Sequence, residues 1–281
     1  MKYRFLSILF LTLFSCSTEK TIPNQNNTAY RITKAINYNN IGVDVVIDKP
    51  SNNDVDLLVV FHGTVYYDNK ILDAANKITD NFKNILDRKD MMIISVAYRE
   101  EGLLMGEHIK QAEAALLWSK HKAGTELGVN VKKIFLAGHS LGGYLVTRLN
   151  TMYHTNGVIA NAPGPLNLLY RCQLEENGQA APSNVCNLIK AAYGSTSANP
   201  DQYNNRSLLN FTGGFKSDIL FIQGLQDSPV QMFSYPAFKQ GVLNCSNCQH
   251  IQFLEIPDGG HASLFASNTA KTEFNNFINS R

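Results

Sequence analysis

Charge is sparse in this sequence, and neither sign prevails. Charged residues make up 17%, with 25 Lys and Arg set against 23 Asp and Glu, for a formal net charge of +2. A chain so balanced has no general attraction for polyanions, and no basic stripe interleaved with aromatics occurs, which excludes a nucleic-acid partner. The apolar run at residues 5–14 is too short to span a bilayer comfortably, which takes about 20 residues. No internal repeat recurs, and nothing marks a separate second domain. What is present is a 44% hydrophobic composition over 281 residues, enough for one large domain with a substantial core.

The apolar run does fit the h-region of an export signal. Lys2 and Arg4 precede it, and it ends in Leu13-Phe14-Ser15-Cys16, as in a secretory leader. This ending resembles the lipobox of bacterial lipoproteins, which implies cleavage after residue 15 and lipid attachment at Cys16, with a plain secretory signal as the alternative. Either way the protein is exported. The lipoprotein reading places it on a periplasmic or outer-membrane face, held to the membrane by its N-terminal lipid. Residues 16–29, rich in Ser, Thr and Asn, read as a flexible tether, leaving 30–281 as the folded domain.

Export changes the meaning of the other four cysteines. Cys172, Cys186, Cys245 and Cys248 form an even set in an oxidising compartment. Sequence order suggests Cys172–Cys186 and Cys245–Cys248, one of three connectivities open to four cysteines. Cys245-Ser246-Asn247-Cys248 also has the spacing of a zinc or redox motif. Only one such pair exists, however, with His250 as its one nearby imidazole. It lies in a Ser/Asn-rich turn without a helix N-terminus to lower a thiol pKa. A structural disulfide is the favoured reading, and no metal site is expected.

Along the domain, short apolar runs alternate with helical patterns. The runs lie at 43–47, 57–61, 91–97, 133–137, 157–160, 219–222 and 251–256. Such short continuous runs suit strands buried on both faces of a parallel sheet. Helical spacing appears at 71–86, 108–122, 144–153 and 269–278. The alternation predicts an α/β fold, a mostly parallel central sheet with helices on both faces. Residues 30–47 predict an antiparallel hairpin at one sheet edge, turning at Asn39-Asn40. The stretch 163–217, with prolines, glycines, two cysteines and a short helical pattern at 185–193, is too long for an ordinary loop. It reads as a cap inserted over the sheet.

The strongest chemical signal is Gly138-His139-Ser140-Leu141-Gly142-Gly143, set between a strand pattern and a helix pattern. Gly-x-Ser-x-Gly in that setting is a nucleophile turn, sharp enough that bulky neighbours would clash. A serine hydroxyl needs a base beside it. Gly259-Gly260-His261 follows the last apolar run and presents a histidine in a Gly-rich loop; the six other histidines are worse placed, His108 and His121 within a helix pattern and His139 inside the turn itself. Gln223-Gly224-Leu225-Gln226-Asp227 puts an acid just beyond a strand end, the edge of an α/β sheet where ligands gather. Glu255, within a strand, and Asp258, in the histidine's own turn, rank below it. Phe61-His62-Gly63-Thr64 ends another strand.

The order Ser, Asp, His and these settings resemble the α/β-hydrolase superfamily over residues 41–281. The resemblance implies Ser140 as nucleophile, His261 as base and Asp227 as its orienting acid. It also implies an oxyanion site formed by the Leu141 amide and the amide of Thr64 or Val65, with His62 shaping that loop. The C-terminal half looks like the prolyl oligopeptidase and dienelactone-hydrolase branch. Residues 199–208 are similar to a stretch those enzymes carry before the acid strand. Gln223 stands where they usually have histidine. No propeller precedes the hydrolase region, which favours small esters over peptides. The expectation is an exported carboxylic-ester hydrolase acting through an acyl-enzyme on a small-molecule or glycan-linked ester, without metal or organic cofactor. A small peptidase or acyltransferase on the same residues, and a non-catalytic glycan-binding lipoprotein, are the alternatives.

Overall fold

The computed structural model describes residues 28–281. The signal sequence, Cys16 and the tether as far as residue 27 lie outside the described residues. Among those described, no helix is long and apolar enough to cross a membrane.

Eight strands form one sheet: β1 (Tyr30–Tyr38), β2 (Ile41–Lys49), β3 (Asp54–Phe61), β4 (Met91–Ala97), β5 (Asn130–His139), β6 (Gly157–Asn161), β7 (Ile219–Gly224) and β8 (Ile251–Ile256). Their order is β1-β2-β4-β3-β5-β6-β7-β8. The expected hairpin is β1–β2. It is antiparallel, and Asn39 and Asn40 turn it with φ of 50° and 64°, the left-handed geometry that two-residue hairpin turns need. β2 is also antiparallel to β4, and all later pairs are parallel. This is the α/β fold expected, a mostly parallel sheet.

The helices are α1 (Ile71–Ile85), α2 (Ile109–His121), α3 (Ala123–Leu127), α4 (Leu141–Met152), α5 (Leu168–Glu176), α6 (Asn184–Tyr193), α7 (Pro200–Asn204), α8 (Pro229–Leu243), α9 (Ser263–Ala266) and α10 (Asn268–Asn279). Two apolar layers flank the sheet. One joins Val59, Phe61, Leu136 and Phe221 to Leu116, Trp118, Leu145 and Phe238. The other joins Leu58, Val60, Phe135 and Ile222 to Phe82, Phe274 and Phe277. Alternate residues of one strand thus feed opposite layers, as the pleat requires. β4 is buried at every position, as a continuous apolar run in a central strand should be. β8 departs from that expectation. It is the edge strand, and each of its residues is only half-buried.

Candidate active site

β5 runs directly into α4 through Ser140, whose φ of 58° and ψ of −118° lie outside the regions an L-residue prefers. The turn closes only because its flanks lack side chains. A Cβ at Gly138 would sit 2.1 Å from the Gly142 carbonyl oxygen, and one at Gly142 would sit 2.1 Å from that of Phe61. Backbone bonds fix the turn, from Ser140 N–H to Asn161 O at 3.0 Å and from Gly164 N–H to Ser140 O at 3.2 Å.

β7 ends in the acid turn and β8 in the histidine loop, and the two loops lie against each other. Gln226 N–H donates to Gly259 O at 2.8 Å, and a Cβ at Gly224 would meet the carbonyls of Gly259 and Gly260 at 2.3 and 2.2 Å. This contact brings His261 Nδ1 to 2.8 Å from Asp227 Oδ2. The Asp227 side chain is 3% exposed and that of His261 46%. Asp227 also receives Ser228 N–H on Oδ1 at 2.6 Å and Gln223 Nε2–H on Oδ2 at 3.0 Å. Burial raises the carboxyl's pKa, but the bond and charge of His261, with those two donors, outweigh it and hold it below the usual value. Among the described residues no hydrogen bond joins Ser140 to His261, but both line one cavity of about 490 Å³ together with Asp227 and Leu141. The rival acids are elsewhere engaged or unplaced: Glu255 is paired with Lys239 at 2.7 Å, and Asp258 does not line the cavity.

His139, inside the nucleophile turn, has its ring 4.8 Å from that of His261. Asn161 Nδ2–H donates to His139 Nδ1 at 2.8 Å, and Leu264 N–H fixes the amide by donating to Asn161 Oδ1 at 3.3 Å. Burial, then the neighbouring His261, lower the His139 pKa to about 4. His139 is therefore neutral at physiological pH and does not repel a cation forming on His261.

The loop after β3 separates the two amides expected as alternatives for the oxyanion site. Val65 N–H donates to Glu100 Oε1 at 2.7 Å and is already engaged. Thr64 N–H carries no hydrogen bond among the described residues, and Leu141 N–H is in the first turn of α4, where backbone donors lack intrahelical acceptors. A Cβ on Gly63 would lie 3.3 Å from Ser140 Cβ, so this loop abuts the nucleophile. Beneath it Tyr98 Oη–H donates to His62 O at 2.5 Å, and the Tyr98 and His62 rings stack at 4.1 Å. His62 Nδ1 faces Gly63 O at 2.7 Å. His62 thus shapes the loop, as expected, and burial lowers its pKa to about 4.

Glu100 and His108 are among the cavity residues that the sequence does not single out. Glu100 follows β4, and His108, which the helical spacing put inside a helix, precedes α2 and is buried against the cavity. Glu100 was legible by the rule that singled out Asp227, an acid just past the C-terminal end of a parallel strand.

The inserted segment supplies the opposite wall, through Pro165, Leu168 and Arg171 from the α5 side and Ser183, Val185 and Leu188 from the α6 side. A Cys172–Cys186 disulfide joins α5 to α6, and a second disulfide links Cys245 to Cys248. These are the pairings sequence order suggested.

A model of the alpha/beta hydrolase fold family matches residues 58–204, just over half of the chain. The chain belongs to that family. No curated protein matches it in sequence. Among solved structures it is similar to a truncated carbohydrate esterase from gut microbiota, with 16% identity and a TM-score of 0.66, over 92% of this chain and 98% of that one. It is also similar to Est1E from Butyrivibrio proteoclasticus, with 14% identity and a TM-score of 0.62, over 88% of this chain and 98% of that one. An acylaminoacyl peptidase from Pyrococcus horikoshii gives 14% identity and a TM-score of 0.62 over 90% of this chain, which spans 42% of the peptidase. At such identities these likenesses establish the fold of the hydrolase domain and leave its chemistry to its own residues.

Proposed function

We propose that this chain is a serine hydrolase that cleaves carboxylic esters with Ser140, His261 and Asp227 as its triad. His261 Nε2 takes the Ser140 hydroxyl proton as Oγ attacks the ester carbonyl. Asp227 keeps the proton on Nδ1 and steadies the imidazolium, remaining ionised itself. The Leu141 and Thr64 amides receive the developing oxyanion. The imidazolium then protonates the departing alcohol, and water activated by the same imidazole releases the acid from Ser140. The observation that carries this reading is the 2.8 Å bond from His261 Nδ1 to buried Asp227, opening on the cavity that holds Ser140 in its strained turn.

A fluorophosphonate probe tests it. The wild-type protein should be labelled and Ser140→Ala should not, while p-nitrophenyl esters of rising chain length report turnover. Full labelling of the alanine variant, or near-wild-type turnover by it, rejects the assignment. Labelling without ester turnover points to a peptidase or acyltransferase, and no labelling at all to a binding protein.

The export signal, lipidation of Cys16 and the place within the oligopeptidase-like branch belong to this proposal. They rest on the sequence motifs alone. Metabolic labelling with a fatty-acid analogue should mark the wild-type chain and not Cys16→Ala; equal labelling of both ends the lipoprotein reading.

A further inference from the structure

The cavity's polar groups are distributed in a way that ester hydrolysis by itself does not require. On the β4 side stand Glu100 and Glu101. Arg171, from the inserted segment, lines the same cavity. Arg171 spends only Nε on its partner, Glu175 Oε1 at 3.0 Å, and Glu175, whose side chain is 5% exposed, is itself pinned by Ser183 N–H and Oγ–H at 2.8 and 3.0 Å. The guanidinium is therefore held at one nitrogen, with its remaining N–H groups free of protein partners among the described residues and its side chain 41% exposed. Glu100 is the second polar group of this cavity. Its Oε1 is tied to Val65 N–H, and its Oε2 has no hydrogen-bond partner among the described residues.

This arrangement discriminates between ligand classes. A long acyl chain would desolvate Glu100 and Arg171 without replacing their hydrogen bonds, which is unfavourable. A cationic ligand meets Arg171, and an anionic one meets Glu101. A neutral hydroxylated ligand satisfies both groups, because a hydroxyl both donates and accepts. Two helices that line the cavity, α5 and α8, also carry flat apolar surface. The Tyr170 ring, in α5 beside Arg171, stacks on that of Phe233, in α8, with centroids 4.1 Å apart and planes 20° apart. Even so stacked, Phe233 remains 64% exposed, and Tyr66 at the cavity wall is 58% exposed. A sugar ring offers hydroxyls at its edge and C–H groups on its faces, and so suits both features.

We propose that the alcohol part of the substrate is a neutral sugar, that the pocket-facing oxygen of Glu100 receives one of its hydroxyls, and that the Tyr170–Phe233 pair supports a further ring of the same glycan. This rests on the ester-hydrolase reading. Burial, only partly offset by Val65 N–H and reinforced by Asp68, raises the Glu100 pKa to about 8. At neutral pH the carboxyl is therefore mostly uncharged, able to donate as well as accept, and it offers little to draw in a cation.

The test compares kcat/KM for an acetylated methyl glycoside with that for cyclohexyl acetate, acetylcholine and an acetylated hydroxy acid. The glycoside should be preferred by the wild type. Glu100→Leu should lower the glycoside-to-cyclohexyl ratio at least about ten-fold, the loss of one buried hydrogen bond. Any disturbance of the Val65 loop is common to both esters and cancels in the ratio. Glu100→Gln, which keeps both a donor and an acceptor, should restore most of it. Phe233→Ala, on the surface, should raise KM for an acetylated trisaccharide several-fold relative to the monosaccharide. A ratio unchanged in Glu100→Leu, or acetylcholine or the acidic ester preferred to the glycoside, overturns the proposal. Calorimetric binding of the acetylated trisaccharide to Ser140→Ala, and its loss when Glu100→Leu is added, reads the subsite without turnover. A failure of the chemistry is thereby separated from a failure of the subsite.

Discussion

Gln223 Nε2 lies 3.0 Å from Asp227 Oδ2, the same oxygen that faces His261 Nδ1. The hydrogen bonds of Gln223 show what a glutamine supplies at this position. It is buried at the end of β7, and its amide also donates to Gly224 O at 2.9 Å, while its Oε1 accepts from Gln231 Nε2 at 3.3 Å. Gln223→Leu removes a donor that favours the ionised acid. With a net value of about 1 kcal/mol per such bond, and more to a charged group, kcat should fall about ten-fold on a small activated ester with KM little changed. The pH at which activity declines in acid should move upward. A wild-type pH profile in this variant shows that Gln223 does not tune Asp227.

The choice of acid is tested by amide substitution. Asp227→Asn should keep the shape of the site while favouring the wrong tautomer of His261, for a loss on the order of 10⁴-fold in kcat. Glu255→Gln breaks a pair with Lys239 at 2.7 Å on the edge strand and should cost turnover little. A crippled Glu255→Gln beside a mild Asp227→Asn would reverse the assignment.

Stability should peak near pH 6.5, and the sign follows from four groups. His62, His108 and His139 have pKa values lowered by burial from 6.5 to about 4. Between those values the unfolded chain binds protons the folded one refuses, so stability is lost as pH falls from about 6.5 toward 4. Glu100 acts in the opposite direction. Its pKa, raised from 4.5 to about 8, makes the folded chain hold a proton that the unfolded chain releases, so its contribution is lost as pH rises through that window. Thermal melts of Glu100→Gln should therefore lose the decline between about pH 6.5 and 8 while keeping the acid-side fall. An unaltered slope above pH 6.5 shows that Glu100 titrates normally.

How much of this was legible in the sequence depended on what shapes each segment. β4 reads as a strand because all seven of its positions are buried, so nothing competes with the apolar pattern. The acid and histidine turns were legible because a strand end followed by glycine marks a place where chains approach closely. α8 was not. Pro236 lies inside it, and its buried positions include Gln231 and Ser234, so neither helix propensity nor apolar spacing announced it. The occupation of Val65 N–H by Glu100 was equally hidden, because 35 residues separate the two and only the β3–β4 pairing brings them together.

The Cys172–Cys186 bridge should govern which esters bind far more than how fast a bound ester reacts. It closes a loop with a sequence separation of 14, for which loss of chain entropy in the unfolded state predicts about 3 kcal/mol. The strain of removing it falls on α5 and α6, which carry Leu168, Arg171, Val185 and Leu188 to the cavity wall. Ser140, Asp227 and His261 follow β5, β7 and β8 of the sheet, outside the loop that the bridge closes. A Cys172→Ser/Cys186→Ser variant should therefore raise KM for bulky esters, leave kcat on p-nitrophenyl acetate within a few-fold of wild type, and lose thermal stability. Non-reducing peptide mapping checks the premise, since free thiols at these positions, or a link from either to Cys245 or Cys248, remove it. If the bridge is present and its loss leaves KM the same for bulky and small esters, the inserted segment stabilises the domain without shaping the pocket.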